Sequence, residues 1–475
     1  MAEENQHPPQ PPERPHAAEP PTTPADHARK AEAERRRRLI AIATNLTYAV
    51  VITAVILIAK DILESTAPVQ SVEIGTYKFL QSRLSNFSGN RLQVVVVDIS
   101  KVDEVSKVVA GQVKKFTPRD RLTEVIQALV DAKAAAIGVD IDFSPDEDGP
   151  IDRDNDWDFF DKCLAWRATV PIRLGVYRAR ERRPDEWLSV GDYSKLAADV
   201  AATRPELGNT YRVNEWVALP AQHQALPSLG YALAQDYFKR HRPPHQPPDW
   251  LRRLLRQPVN PADLKEASSS ASEDTDEDEE ERPGQLLNYS KLAQLQSERL
   301  LTTHKVSIED AAQDFYEKIV IIGDATLRNG GDQFNPPWGN STPGVFFHAS
   351  AAYTFAVEPL HEFTPLTRTL LDIALGLPFF AIAAIKAKQA KHPDDEAAEK
   401  HWNRVEKGTL YVSALIVLGI GLFLMLNWHV MWLDFILVIL ALAAHPLLSN
   451  KVEALGKFWA ALSAQRAARK RAAAK

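Results

Sequence analysis

The feature that most constrains this chain is an uncharged, mostly apolar run from Leu39 to Ala59. Its length of about 21 residues is what a helix needs to cross a hydrocarbon core of ~30 Å. The hydrophobic region of a cleavable signal peptide is only ~7–15 residues long, and this run follows a hydrophilic leader, so we predict a retained membrane helix. Four consecutive arginines at residues 35–38 directly precede the run, which predicts that this end stays in the cytoplasm.

Three further apolar runs lie late in the chain, at residues 366–385, 409–426 and 430–448. Basic residues occupy the loop 386–408 and the tail 449–475, so both are predicted to be cytoplasmic. Four transmembrane α-helices then leave both termini in the cytoplasm and residues 60–365 outside it. The alternative, four buried helices of a soluble protein, is disfavoured because basic residues flank the runs so consistently.

The charge balance and the cysteine content narrow the classes of function. The formal net charge is −6, whereas a nucleic-acid-binding domain usually carries a basic stripe, so no nucleic-acid partner is expected. Cys163 is the only cysteine, which excludes an intrachain disulfide and a cysteine-rich metal site. We also expect no cofactor.

Two segments have the composition of disordered chain. Residues 1–34 are rich in Pro, Glu and Ala and have too few large apolar side chains to fold, so we predict a disordered cytoplasmic leader. Residues 266–284 pass from a serine run into an acidic block, which predicts an extended insertion because its charges repel one another.

The exported part has the pattern of an α/β domain with a mostly parallel sheet. Leu92–Ile99 is a near-continuous β-branched run, typical of a strand buried on both faces. An amphipathic helix is predicted to begin at Pro118, and Ala136–Phe143 returns to strand composition, which together indicate a βαβ unit. Further strands are predicted at residues 169–177, 213–219 and 318–323, and a helix after Pro227.

Carboxylates follow three of these strands, and ligands of open α/β sheets bind beyond the carboxyl ends of the strands. We therefore regard seven residues as candidate ligand-binding residues, which could hold a hard cation or present acceptors to a small solute. The structural alternative is that the carboxylates cap the next helix or pair with an arginine, for which Arg119 is the obvious partner. The candidates are Asp98, Arg119, Asp140, Asp142, Asp324, Asp332 and His348.

Seven short motifs in this domain carry a family resemblance. They are VVVVDI at 94–99, GQ at 111–112, TPRDRL at 117–122, IGVDIDF at 137–143, LPSLGYALA at 226–234, KIVIIGDA at 318–325 and TPGVFFHA at 342–349. With these motifs in this order, the chain from about residue 90 to residue 360 resembles the type-two CHASE domain. This is the second class of cyclase- and histidine-kinase-associated sensory extracellular domains. The order of one membrane helix before the sensor and about three after it also resembles the family.

The resemblance implies a multi-pass receptor of the bacterial cytoplasmic membrane that senses a small-molecule or protein ligand outside and signals inward. One feature departs from the family pattern: the acidic insertion is long. The chain ends about 27 residues after Leu448, which leaves no room for an output enzyme, so a separately encoded cytoplasmic effector is expected.

Two other classes of function stay open at this point, and a homo-oligomer is left open as well. The first is an envelope scaffold that recruits partners without signalling. The second is an exported metal-dependent hydrolase, although the chain has no GxxxxGK, HExxH or GxSxG signature. We predict that the chain is not an enzyme.

Overall fold

The computed structural model describes the α/β domain and parts of the segments around it. The described residues are 32, 35–36, 39, 71–72, 74–81, 92–109, 112–143, 153–176, 192–200, 212–219, 224–242, 246–262, 284–301, 305–327, 332–336, 340–371, 373–374 and 396–432. Most of the predicted leader 1–34, membrane run 39–59 and acidic insertion 266–284, and all of the tail 449–475, lie outside them.

Two sets of elements make up the described part of the chain. The strands are β1 (Val94–Asp98), β2 (Val105–Val109), β3 (Gln112–Phe116), β4 (Ala136–Val139), β5 (Ile172–Val176), β6 (Ala197–Asp199), β7 (Arg212–Val213), β8 (Trp216–Leu219), β9 (Gln224–Pro227), β10 (Gln285–Leu286), β11 (Leu300–Leu301), β12 (Ile319–Gly323), β13 (Gln333–Phe334), β14 (Thr342–Pro343), β15 (His361–Glu362) and β16 (Val430–Met431). The helices are α1 (Arg119–Asp131), α2 (Arg153–Arg167), α3 (Leu229–Phe238), α4 (Asp249–Arg252), α5 (Leu292–Ser297), α6 (Lys305–Asp310), α7 (Ala312–Phe315), α8 (Gly344–Ala356) and α9 (Glu396–Trp428), with a 3₁₀ turn at Tyr193–Lys195.

A six-stranded sheet with the order β11-β1-β12-β4-β5-β6 forms the centre of the domain. All its strand pairs are parallel, and β12 lies between β1 and β4 with Val94 opposite Ile319 and Ile319 opposite Ala136. Every residue of β1, β4 and β12 is buried, as expected where helices cover both faces. The predicted α/β class with a mostly parallel sheet is confirmed.

Helices pack on both faces of this sheet. On one face, α1 contributes Leu122 and Ile126 to a core shared with Phe159 of α2 and Ile308 of α6. On the other face, α3 covers β4, where a β-carbon at Gly138 would lie 2.6 Å from Leu233 Cδ1. The helix α8 packs against α3, β1 and β12 on the same face.

Small residues bring α3 and α8 together. A β-carbon at Gly230 of α3 would lie 2.6 Å from the β-carbon of Ala351 and 2.8 Å from the backbone nitrogen of Ala352. The two helix backbones therefore approach each other too closely for any larger residue at position 230.

The strand predicted at 213–219 is different in the structure. It is divided into β7 and β8, which pair antiparallel with β10 and β9 outside the main sheet. The strand predicted at 136–143 ends at Val139, so Asp140 and Asp142 lie in the turn beyond it.

One helix among the described residues is long and apolar enough to cross a membrane, over Tyr411–Trp428 with a mean hydropathy of 2.0. It belongs to α9, which begins at Glu396 and so extends into the predicted loop 386–408. Large apolar side chains such as Leu415 and Phe423 are exposed on it, which is unfavourable in water and favourable in lipid. Described residues of the predicted run 366–385 are helical up to Ala374, and the other crossings stay predictions.

The boundary predicted at Val430 is corrected. Val430–Met431 forms strand β16, which pairs in parallel with β15, instead of beginning a membrane helix. The next residue, Trp432, is buried against Phe363 with a ring distance of 6.3 Å. Residues 433–448 lie outside the described part of the chain.

Contacts divide the chain into two units, and the α/β domain lies within the one made of Leu57–Ala374 and Tyr411–Ala444. The other unit consists of Met1–Ile56, Leu375–Leu410 and His445–Lys475. Its described part is chiefly the beginning of α9, from Glu396 to Leu410.

Candidate functional site

Three of the seven candidate residues meet at the carboxyl edge of the sheet. Asp140 directly follows β4, Asp332 precedes β13, and His348 lies in the first turns of α8. One ligating atom from each side chain lies within 4.8 Å of the other two, and His348 Nε2 is 3.5 Å from Asp140 Oδ1. Residues far apart in sequence thus form one cluster.

The backbone pairing of β4 with β12 fixes the position of Asp140. The Asp140 N–H donates to the Ile322 carbonyl at 2.8 Å, which continues the ladder one residue past the strand. Next to it, a β-carbon at Gly323 would lie 3.2 Å from the Asp140 β-carbon and 2.8 Å from Val345 Cγ2. Glycine at position 323 therefore lets the first turn of α8 approach the end of β12.

Asp332 is held against the beginning of α8. The Gly344 N–H donates to the Asp332 carbonyl at 3.0 Å, and β13 pairs with β14 so that Phe334 lies opposite Thr342. A β-carbon at Gly344 would lie 1.7 Å from Asp332 Oδ2, so the observed position of this carboxylate requires glycine. Asp332 as a whole residue is exposed, but the end of its side chain packs against the helix.

His348 is enclosed by the domain. It is only 2% exposed, and the ring of Phe347 meets its imidazole edge to face at 5.4 Å. Among the described residues no group meets hydrogen-bond geometry with its Nδ1, although the nearby backbone of Val200 acts against the lowering of the His348 pKa by burial. The other nitrogen, Nε2, faces Asp140.

Burial determines the protonation of the cluster. It raises the pKa of Asp140 to about 7, and the pKa of Asp332 is raised by burial and then by the neighbouring charge of Asp140, against the effect of His348. Burial lowers the pKa of His348 to about 4 against the opposing effect of Asp332. Burial therefore favours the uncharged form of the imidazole and disfavours ionisation of both carboxyl groups.

No lysine or arginine of the described chain forms a salt bridge with Asp140 or Asp332. The site thus presents two carboxylates and one neutral imidazole nitrogen without a basic counterion. Such a donor set can bind a divalent cation, exchange protons, or accept hydrogen bonds from a small cationic solute.

The other strand-end carboxylates interact with their own neighbourhood. Asp98 Oδ1 accepts hydrogen bonds from the backbone N–H of Ser100 at 3.0 Å and of Ala325 at 3.2 Å, and Arg299 Nε lies 3.4 Å from Oδ2. Asp98 therefore joins the end of β1 to the turn after β12. Its arginine partner is Arg299, and not Arg119, which the structural alternative offered as a partner for the strand-end carboxylates.

The cluster also does not include Asp324, Asp142 or Arg119. Asp324 Oδ1 accepts from the backbone N–H of Thr326 at 2.8 Å, which is an ordinary turn contact, and Asp142 is exposed. Arg119 is buried on the opposite side of the sheet, where it pairs with Asp156 of α2 and lies 4.6 Å from the centre of the Phe143 ring. It acts there as a structural cation between α1 and α2.

Two residues next to the cluster, Gly344 and Val200, are not among the candidates predicted from the sequence. The order Thr-Pro-Gly before an apolar helix could have indicated Gly344. A glycine at the first position of a helix, directly after a proline, suggests that another group approaches the backbone closely there. Nothing in the local sequence marks Val200, which follows the short edge strand β6.

Comparison with protein families finds one match: the family model described as the CHASE2 domain matches residues 49–382. This range includes all three residues of the cluster and more than half of the 475 residues of the chain. Neither the comparison with curated proteins nor that with solved structures found a match.

Proposed function

The chain belongs to the CHASE2 family of extracellular sensory domains, and from this premise we propose that it is a membrane receptor subunit that relays an extracytoplasmic signal to a separately encoded cytoplasmic effector. The sensory domain is not a catalytic one, and the proposal assigns the output to a separate effector. The observation that carries the proposal is the path of α8, which connects the cluster to the segment that leads toward the membrane.

The helix α8 has its first turns at the cluster and runs back along β1 and β12. Its 13 residues correspond to a length of roughly 20 Å, about that of the strands it covers. Its end at Ala356 therefore lies toward the amino edge of the sheet, where β1 also begins. In the proposed receptor the membrane connections follow from this amino edge, and the cluster lies at the opposite, carboxyl edge of the sheet.

Close packing makes α8 suitable for transmitting displacement. Twelve of its residues are buried, and the contact of Gly230 with Ala351 leaves no space for the helix to deform locally. A change at His348 is therefore expected to shift α8 as a unit, in the manner of a shear motion between packed helices.

The far end of α8 is connected to the membrane helix α9. After α8 the chain forms β15, and His361 N–H donates to the His429 carbonyl at 2.9 Å, directly after α9 ends. Glu362 forms a two-pronged ion pair with Arg212 at 2.6 and 2.8 Å, which fixes β15 to the rest of the domain. Movement of α8 would thus reach the segment after residue 365 and, through β15 and β16, the end of α9.

Signalling in this way requires two states that the ligand binds with unequal affinity. We expect the cytoplasmic loop 386–408 or the tail 449–475 to present the changed state to the effector. The bilayer, the external ligand and this effector are the partners of the proposal, and oligomerisation is compatible with it.

Quantitative capture of cytoplasmic partners from gently solubilised membranes tests the proposal. The full chain, tagged at its C-terminus, is compared with Gly344→Ala, which displaces Asp332, and with Gly75→Ala, whose added β-carbon meets no atom within 4 Å. We expect Gly344→Ala to change the amount or the activity of a captured partner, and Gly75→Ala to leave both unchanged. If all three chains capture the same partners with the same activity, the protein is an envelope scaffold and the relay is wrong.

A further inference from the structure

The cluster at the beginning of α8 has the donors and the geometry of a metal site. We propose that Asp140, Asp332 and His348 bind one divalent transition-metal cation of the zinc type. The metal chemistry stands on the cluster alone, while its role as a signal rests on the proposed function.

The distances between the ligating atoms fit a metal ion. Zinc binds imidazole nitrogen at ~2.0–2.1 Å and carboxylate oxygen at ~2.0–2.2 Å, so two ligands of a tetrahedral site are about 3.4 Å apart. His348 Nε2 and Asp140 Oδ1 are 3.5 Å apart, which is this spacing. The separations to Asp332 are no more than 4.8 Å, so an inward movement of at most roughly 1.4 Å would bring it to the same spacing. Asp332 is the exposed member of the cluster and precedes a short strand, so it is the ligand that can move.

Among the described residues, the buried polar groups of the cluster lack other partners that would satisfy them. His348 is 2% exposed, and its Nε2 faces the carboxylate of Asp140, whose side chain is 10% exposed. The carboxylate of Asp140 accepts no hydrogen bond from the described residues. Buried polar groups are normally satisfied, and a bound cation would satisfy both Nε2 and the carboxylate at once.

The types of donor atom indicate which metal ion the cluster would bind. An imidazole nitrogen suits zinc, copper, iron or nickel, whereas calcium takes six to eight oxygen ligands and magnesium prefers an octahedral shell rich in water. Two carboxylates without a basic neighbour favour a dication over a neutral solute. Three protein ligands also leave one position open for water or for a group of an external ligand.

The test is zinc titration of the full chain in lipid nanodiscs after treatment with a chelator, followed by calorimetry, with calcium as the comparison cation. We expect one zinc ion per chain and no calcium binding at the same concentrations. His348→Ala and Asp332→Asn should each weaken zinc binding by at least roughly 100-fold, since even loss of an outer partner of a metal ligand costs 10–100-fold. Asp142→Asn makes the same charge change on an exposed neighbour and should stay within about 3-fold of the unsubstituted chain, because it removes no ligand.

Cobalt provides a second readout that depends on coordination. The cobalt-loaded chain should show visible absorption bands typical of a four-coordinate site, and Asp332→Asn should reduce them. Because Asp332 is exposed, this variant is expected to fold, which circular dichroism checks.

Two outcomes overturn the inference: no zinc binding by the unsubstituted chain, or equal binding by His348→Ala, Asp332→Asn and the unsubstituted chain. The receptor proposal is tested separately. If zinc does not bind but Gly344→Ala still changes partner capture, the sensor stands and its ligand is of another class. If zinc binds as expected but partner capture is insensitive to Gly344→Ala, the metal site stands and the relay fails.

Discussion

Asp332 and Gly344 are in such close contact that a β-carbon on the glycine would lie 1.7 Å from Asp332 Oδ2. The backbone hydrogen bond between the same two residues, 3.0 Å long, holds the loop before β13 to the first residue of α8. The position of a candidate ligand is thereby coupled to the position of a helix. In the proposed relay, this contact would pass a ligand-induced movement of Asp332 on to α8.

The first prediction concerns Gly344→Ala. The added methyl group must displace the Asp332 carboxylate, but this carboxylate is the end of a side chain that can rotate into solvent. We therefore expect zinc affinity to fall by at least about 10-fold, while the free energy of unfolding changes by less than about 1 kcal/mol. Calorimetry and chemical unfolding of the same preparation measure the two quantities. A large loss of stability with unchanged affinity would contradict the coupling.

The second prediction concerns Gly230→Ala on α3. Here the new β-carbon would meet the β-carbon and the backbone of α8 at 2.6 to 2.9 Å, and backbone atoms cannot rotate away. We expect a loss of about 1–3 kcal/mol in the free energy of unfolding, as is usual for overpacking in a core. Gly75→Ala is the matched control, because its β-carbon enters open space. Equal stability of the two variants would show that α3 and α8 are not closely packed.

The third prediction concerns Asp236 on α3. Burial by itself would raise its pKa, but Arg173 at 2.7 Å and then Lys239 hold the pKa below the ordinary value. The carboxylate therefore binds its proton less readily in the folded protein than in the unfolded chain. Its stabilisation is present above the unfolded pKa of ~3.9 and is lost as the pH falls through the folded value.

Unfolding of Asp236→Asn as a function of pH tests this expectation. The side chain of Asp236 is fully buried, so at pH 7 its replacement should cost about 3–5 kcal/mol by leaving Arg173 without its partner. Below the unfolded pKa the difference from the unsubstituted chain should shrink. A difference that grew on acidification would have the wrong sign for this ion pair.

The fourth prediction concerns the junction of β15 and β16. His361 lies directly opposite Val430, and neighbouring strands are ~4.8 Å apart, within the range that a disulfide can span. With Cys163→Ser as background, the pair His361→Cys and Val430→Cys should form a disulfide in membranes on mild oxidation, detectable by mass spectrometry of peptides. Leu366→Cys with Val430→Cys is a control that should not crosslink, since Leu366 is exposed and outside the pair. Absence of the first crosslink would favour a membrane helix that begins at Val430.

The central strands were predictable from sequence because β1, β4 and β12 are buried on both faces and so consist of continuous β-branched or small apolar runs. The edge strands β6 and β11 were not, because three and two residues give no usable period. Val430 was assigned to a helix since an apolar run is compatible with either structure. Its partner His361 is too distant in sequence to suggest the strand.

The candidate site was predictable only in part. The rule that ligands bind beyond the carboxyl ends of parallel strands correctly indicated the edge where Asp140 lies, but it applied equally to Asp98 and Asp324, whose carboxylates form local hydrogen bonds. The choice among them depends on which carboxylate lies next to His348 and Asp332 in the folded domain, and this is a property of tertiary packing. The same holds for Arg119, which Asp156 binds on the other side of the sheet.

The measurement that tests the central claim most directly is thiol labelling of intact cells with a membrane-impermeant maleimide. In the Cys163→Ser background, Asp142→Cys places an exposed thiol two residues from the cluster, and Arg404→Cys places one in the predicted cytoplasmic loop. The account predicts that residue 142 is labelled in intact cells and residue 404 only after permeabilisation. Labelling of residue 142 only after permeabilisation would put the cluster in the cytoplasm and contradict an external sensor.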